Sequence, residues 1–143
     1  MIEINNLTNG FVNQKFLKGV AENVLKGENR KEGNLSVVLV GITRMRNLNK
    51  KYRQKDQPTD VLSFSRPDRF PFVPESEIGE IVICLQIIKK NVKKFNLHYN
   101  KELARVLIHG ILHLLGYKHE KSEKDAQEMF KKQEHYLSII TNH

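Results

Sequence analysis

The chain is 143 residues long, 39% apolar and 28% charged, and its 24 Lys and Arg against 16 Asp and Glu leave a formal net charge of +8. That size suits a single domain over residues 1–143 with enough core to fold without disulfides or metal staples, and the lone Cys84 excludes an intrachain disulfide and any zinc site built from several thiolates. The start lacks a signal peptide's charged and apolar regions and no stretch reaches the ~18 apolar residues of a membrane span, so a cytoplasmic protein with no membrane attachment is expected, one whose basicity points to a polyanion.

Residues 2–7 alternate weakly and read as a first strand, and residues 11–25 place Val12, Phe16, Leu17, Val20, Val24 and Leu25 at helical spacing. Residues 35–40 are a β-branched apolar run, a strand, after which Thr43 is a plausible N-cap for a basic helix over residues 44–51. Residues 61–64 and 78–85 read as two more strands. Pro67, Pro71 and Pro74 between them exclude a helix and predict an extended loop that overhangs a site. Cys84 lies in the second of these apolar runs and reads as a core thiol.

Residues 86–95 then form a lysine-rich amphipathic helix, and residues 101–115 are apolar almost all round, the mark of a central buried helix. Gly116 ends it. Ser122 opens a last helix in which Ala126, Met129, Phe130 and Leu137 face inward. The pattern predicts an α+β fold: one mixed, mostly four-stranded sheet packed with about five helices around a central buried helix.

The charge is patchy. Residues 44–56 hold six basic side chains and one acidic, residues 89–101 hold five basic and none acidic, and the remainder is slightly negative. Clustered cations are how a protein grips a phosphate backbone, so Arg44, Arg46, Lys50 and Lys51 in the first run, with Lys89, Lys90, Lys93 and Lys94 in the second, are candidate residues for binding such a backbone. Solvated helix faces are the alternative reading.

The strongest signal lies in the buried helix, where three of the six histidines, His109, His113 and His119, fall within eleven residues. At 3.6 residues per turn, His109 and His113 stand about 40° apart on one face, which lets two imidazoles share one ion. Gly116 lets the chain turn so that His119 arrives as a third ligand. Two unpaired imidazoles on so apolar a helix would each incur a desolvation cost of ~1–3 kcal/mol, which a metal removes. Three nitrogens with no fourth describe an open catalytic site for one zinc ion, another divalent transition metal being the alternative. The spacing matches the metzincin protease pattern in its ligands but has Gly110 where the protease carries its general base, so the usual route of peptide hydrolysis is unsupported.

The run His109-Gly110-x-Leu112-His113-Leu114-x-Gly116-Tyr117-x-His119 resembles the signature of the YbeY family. Tyr52-Arg53, Lys55-Asp56, Pro58-Thr59-Asp60-Val61-Leu62-Ser63-Phe64 and Gly79-Glu80-Ile81-Val82-Ile83 resemble the family's other segments, in the same order, over nearly the whole chain. The resemblance implies a metal-dependent single-strand endoribonuclease of bacterial ribosomal RNA maturation and ribosome quality control, with a mixed four-stranded sheet and a zinc-binding helix. It implies single-stranded, ribosomal RNA as substrate, no DNA, and ribosomal or ribosome-assembly proteins as partners. It also carries over a catalytic role for Arg53, whose planar fork suits a phosphodiester. One departure is Lys118, where the family usually has Asp; Lys offers only donors, and Glu120 is the carboxylate that could take over the acceptor's role. Two other readings compete: an RNA-binding assembly factor with a structural metal, and a metalloprotease-like hydrolase, which the missing glutamate and the basic patches oppose.

Overall fold

The computed structural model describes residues 1–65, 76–118 and 122–141. Four short segments pair as one sheet: β1 (Ile2–Asn6), β2 (Asn34–Val40), β3 (Val61–Ser65) and β4 (Glu77–Cys84), in the order β1-β2-β4-β3. β1 and β4 both run parallel to β2, and β3 is antiparallel to β4, so the sheet is mixed. Five helices accompany it among the described residues: α1 (Gln14–Gly27), α2 (Ile42–Arg53), α3 (Leu85–Phe95), α4 (Tyr99–Leu114) and α5 (Glu123–Thr141). This is the expected α+β class.

The register fixes what each face presents. Ile4, Val37, Ile81 and Ser63 are paired in turn across the strands, so they share one face. On that face Val37 and Ile81 join the larger core cluster, with Val20 and Val24 of α1, Leu107, Ile108 and Ile111 of α4, and Met129 and Leu137 of α5. The neighbouring row, Val38, Val82 and Leu62, points the other way into a smaller cluster with Met45 of α2, Phe64 and Cys84. Hence α2 covers one face while α1, α4 and α5 cover the other.

α4 buries most of its circumference, as its composition predicts. Even Glu102 in its first turn is buried, its carboxylate held by Arg105 one turn on. Its end is a Schellman turn: Gly116 N–H donates to the His113 carbonyl (3.1 Å) and Tyr117 N–H to the Leu112 carbonyl (3.0 Å). Gly116 itself has φ +104°, which favours glycine. Gly79 (φ +148°) follows a register shift where β4 meets β2, and a Cβ there would lie 2.4 Å from the Phe64 carbonyl oxygen. That close approach of two strands requires glycine.

Three local expectations are corrected. The first helix starts at Gln14, because Asn13 caps it by accepting from Phe16 N–H at 3.0 Å. The cap of α2 is Gly41, not Thr43, and its first free N–H, that of Ile42, donates to Gln86 Oε1 (3.0 Å), a residue 44 positions away. Phe130 is 60% exposed: it sits about 100° round from Met129, just past the edge of the stripe formed by Met129, Gln133, Tyr136 and Leu137. Ser122 does cap the last helix, accepting from Asp125 N–H at 3.1 Å, and Cys84 is buried as expected. The proline-interrupted stretch at 66–75 lies outside the described residues, and no described helix is long and apolar enough to cross a membrane.

Candidate metal centre

His109 and His113 project from one face of α4, half-buried in an otherwise buried turn. Their Nε2 atoms are 3.0 Å apart and their rings meet edge to face at 4.6 Å between centroids. Two lone pairs facing each other at that distance repel unless a proton or a cation lies between them. Nδ1 of His109 lies 2.8 Å from Gln133 Oε1, an acceptor, so a proton on Nδ1 completes a hydrogen bond there and leaves the lone pair on Nε2. Two converging neutral imidazole nitrogens are a donor set suited to a borderline divalent ion such as zinc, for which ligand nitrogens at ~2.0–2.1 Å from a tetrahedral ion stand about 3.3–3.4 Å apart. His119, the third expected ligand, lies outside the described residues, as does Glu120, and no cluster of three or more ligating side chains occurs among the described residues.

Gly110, between the two histidines, faces the sheet. A Cβ there would come within 3.2 Å of Ser63 Oγ and 3.3 Å of two Ile81 carbons. Ser63 Oγ–H donates to the Gly110 carbonyl at 3.3 Å, so the position is given over to seating α4 on β3 and β4.

Arg53 approaches from the opposite layer. It is the last residue of α2, and its guanidinium donates to the Ser63 carbonyl (2.9 Å) and the Tyr52 carbonyl (3.3 Å) and lies over the Phe64 ring (5.2 Å). Arg53 is thus held at the outer edge of β3, and the side chain of the serine it grips reaches the histidine helix. Arg44, Arg46, Lys50 and Lys51 are exposed on α2, and Lys89, Lys90, Lys93 and Lys94 are exposed on α3, two helices whose N-terminal ends meet through Gln86 and Ile42. Arg46 is held by Asp56 in a two-toothed ion pair (2.7 and 3.2 Å) that keeps the Asp56 carboxyl below its usual range, so a phosphate would have to compete for it.

Beyond Gly116, Glu28 gathers three donors: Tyr117 Oη–H (2.6 Å), Tyr136 Oη–H and Lys132 Nζ (3.2 Å). Burial alone would raise the Glu28 carboxyl, but the three hydrogen bonds and the Lys132 charge outweigh it and hold it below its ordinary value. Tyr117 is pushed up to about 12 by the same bond and by burial. Glu28, Tyr117 and Lys118 line a cleft of about 720 Å³ with Arg30, Asp125 and Glu128, and neither His109 nor His113 borders it.

Gln133, only 6% exposed, escaped the reading of the sequence. Its signal was a polar residue midway between the apolar Met129 and Leu137 on a helical stripe, which periodicity registers only as a gap.

A pair of helical imidazoles backed by a buried amide, on an α+β scaffold, is a donor set that one divalent ion could occupy. The family model for endoribonuclease YbeY matches residues 3–141, and the chain belongs to that family. A relative named endoribonuclease YbeY from Persephonella marina is 39% identical over 132 residues, covering 92% of this chain and 86% of that protein. One of the same name from Thermotoga maritima is 41% identical over 124 residues, covering 87% and 78%. A solution structure of a Thermotoga maritima protein superposes with a TM-score of 0.69 at 37% identity, over 98% of this chain and 89% of that one.

Proposed function

We propose that this chain is a zinc-dependent, single-strand-specific endoribonuclease that acts in the cytoplasm on ribosomal RNA, in its maturation and in ribosome quality control. The observation that carries the reading is the convergence of His109 and His113 Nε2 at 3.0 Å with Nδ1 of His109 engaged by a buried amide. Relatives named endoribonuclease YbeY support RNA as the substrate. His109 and His113, joined by His119, would hold one ion, which when bound supplies Lewis acidity to the scissile phosphodiester.

The chain's own residues do the rest. Arg53, fixed by the Ser63 carbonyl and the Phe64 ring, offers its fork to a phosphate at the β3 edge without having to be ordered first. The lysines of α3 and the basic residues of α2 attract the backbone of a single strand, and ribosomal or ribosome-assembly proteins would share that RNA-bound state. Gly110 bears no group that accepts a proton, and Lys118 offers only donors.

The deciding experiment is single-turnover cleavage of single-stranded ribosomal RNA by zinc-loaded wild type and His113→Ala, with zinc content measured on the same samples. The reading expects loss of both zinc and cleavage in the variant. Equal cleavage by the two would end it.

A further inference from the structure

Gln133 sits in the stripe of α5 that packs on α4, in line with Met129 and Leu137, both buried. A polar side chain so placed needs a partner, since an unsatisfied buried amide is costly. It has one in Nδ1 of His109, at 2.8 Å. A neutral imidazole carries one proton, and which nitrogen bears it is set by the bond the other side of the ring makes. A proton kept at Nδ1 leaves the lone pair at Nε2, the atom that faces His113 Nε2 at 3.0 Å.

We infer that Gln133 is a positioning residue that fixes the tautomer and ring plane of His109, so that Nε2 is presented with its lone pair toward a divalent ion. The inference rests on the reading of His109 and His113 as metal ligands. Gln133 itself touches neither ion nor substrate. Reach matters as well as polarity. The amide bridges from a neighbouring helix, so the separation of α4 and α5 and the length of a glutamine side chain together set the ring's orientation. A shorter or apolar side chain at 133 would leave His109 free to exchange tautomers and to swing about its Cβ–Cγ bond.

Two measurements test this. Two-bond proton–nitrogen correlation spectra of metal-free, nitrogen-labelled wild type should show His109 as the Nδ1–H tautomer, and Gln133→Met should show a mixture. Zinc affinity, read by competition with a chelator, should fall about tenfold to a hundredfold in Gln133→Met. Gln133→Glu, which keeps an acceptor oxygen at the same reach, should retain it. An Nε2–H tautomer in the wild type overturns the inference, and this outcome needs no variant to fold. So does wild-type zinc affinity in a folded Gln133→Met when His113→Ala has lost it. If His113→Ala binds zinc as the wild type does, the metal-centre reading fails instead, and the tautomer spectra still decide whether Gln133 holds the ring.

Discussion

Arg53 and Gly110 are joined through one residue: the Ser63 carbonyl accepts from the Arg53 guanidinium at 2.9 Å, and the Ser63 hydroxyl donates to the Gly110 carbonyl at 3.3 Å. The edge strand thereby couples the end of α2 on one face of the sheet to the histidine helix on the other. An arginine held in this way is pre-oriented, so its replacement should affect chemistry more than attachment. Arg53→Lys is expected to slow single-turnover cleavage by roughly a hundredfold to a thousandfold, about 2.7–4 kcal/mol, while RNA affinity stays near wild type. Wild-type cleavage rates at saturating enzyme, with zinc content unchanged, would remove Arg53 from the catalytic machinery.

RNA affinity should fall steeply with salt. Each phosphate neutralised on a single strand contributes about -0.7 to the slope of log affinity against log salt. Replacing Lys89, Lys90, Lys93 and Lys94 together by alanine should therefore flatten that slope by about 2.8 if each meets one phosphate. Fluorescence anisotropy titrations at several salt concentrations give the number. An unchanged slope would make α3 a solvated face.

Gly110→Ala should destabilise the fold by about 1–3 kcal/mol, because the new methyl enters a space already closed by Ser63 Oγ and Ile81. Trimming the obstruction should relieve it: Ile81→Val in the same chain is expected to cost less in the Gly110→Ala background than in the wild type. Denaturant midpoints of the four proteins measure the coupling, and simple additivity would mean α4 shifts freely.

The Glu28 cluster predicts opposite responses at the two ends of the pH scale. Tyr117 keeps its proton in the fold up to about 12, against an ordinary 10.0, so its contribution to stability is whole below pH 10 and lost as pH rises toward 12. Glu28 is held below its ordinary 4.5, so its contribution is present above that value and fades as pH falls through the folded-state pKa. Tyr117→Phe should flatten the alkaline arm of a melting-temperature profile, and Glu28→Gln the acid arm. Unaltered arms would show that other groups govern them.

What the chain order discloses and what it hides follow from the range of each interaction. The turn after Leu115 was legible because Gly116 and the last helical carbonyls are neighbours, and Ser122 and Asp125 cap α5 within one turn. The spacing of His109 and His113 was legible because one helical turn is a local quantity. The true partner of the α2 N-terminus was not, since Gln86 is brought there by the sheet, and propensity alone does not separate Thr43 from Gly41 as the cap. Gln133 is likewise 24 residues from His109 and meets it only because α5 lies against α4. Gly110 read as a missing base; its other meaning, a close contact with β3 and β4, depends on a register no local pattern carries.

Cys84, the chain's sole sulfhydryl, stands where β4 passes into α3, walled in by the smaller cluster beneath α2. A thiol reagent reaches it only when that layer parts, so the native protein already contains a chemical clock for the event. Its labelling rate would report the opening free energy of the layer that carries Arg53, without any substitution, and comparison with global unfolding would tell whether the two faces of the sheet come apart together or one at a time.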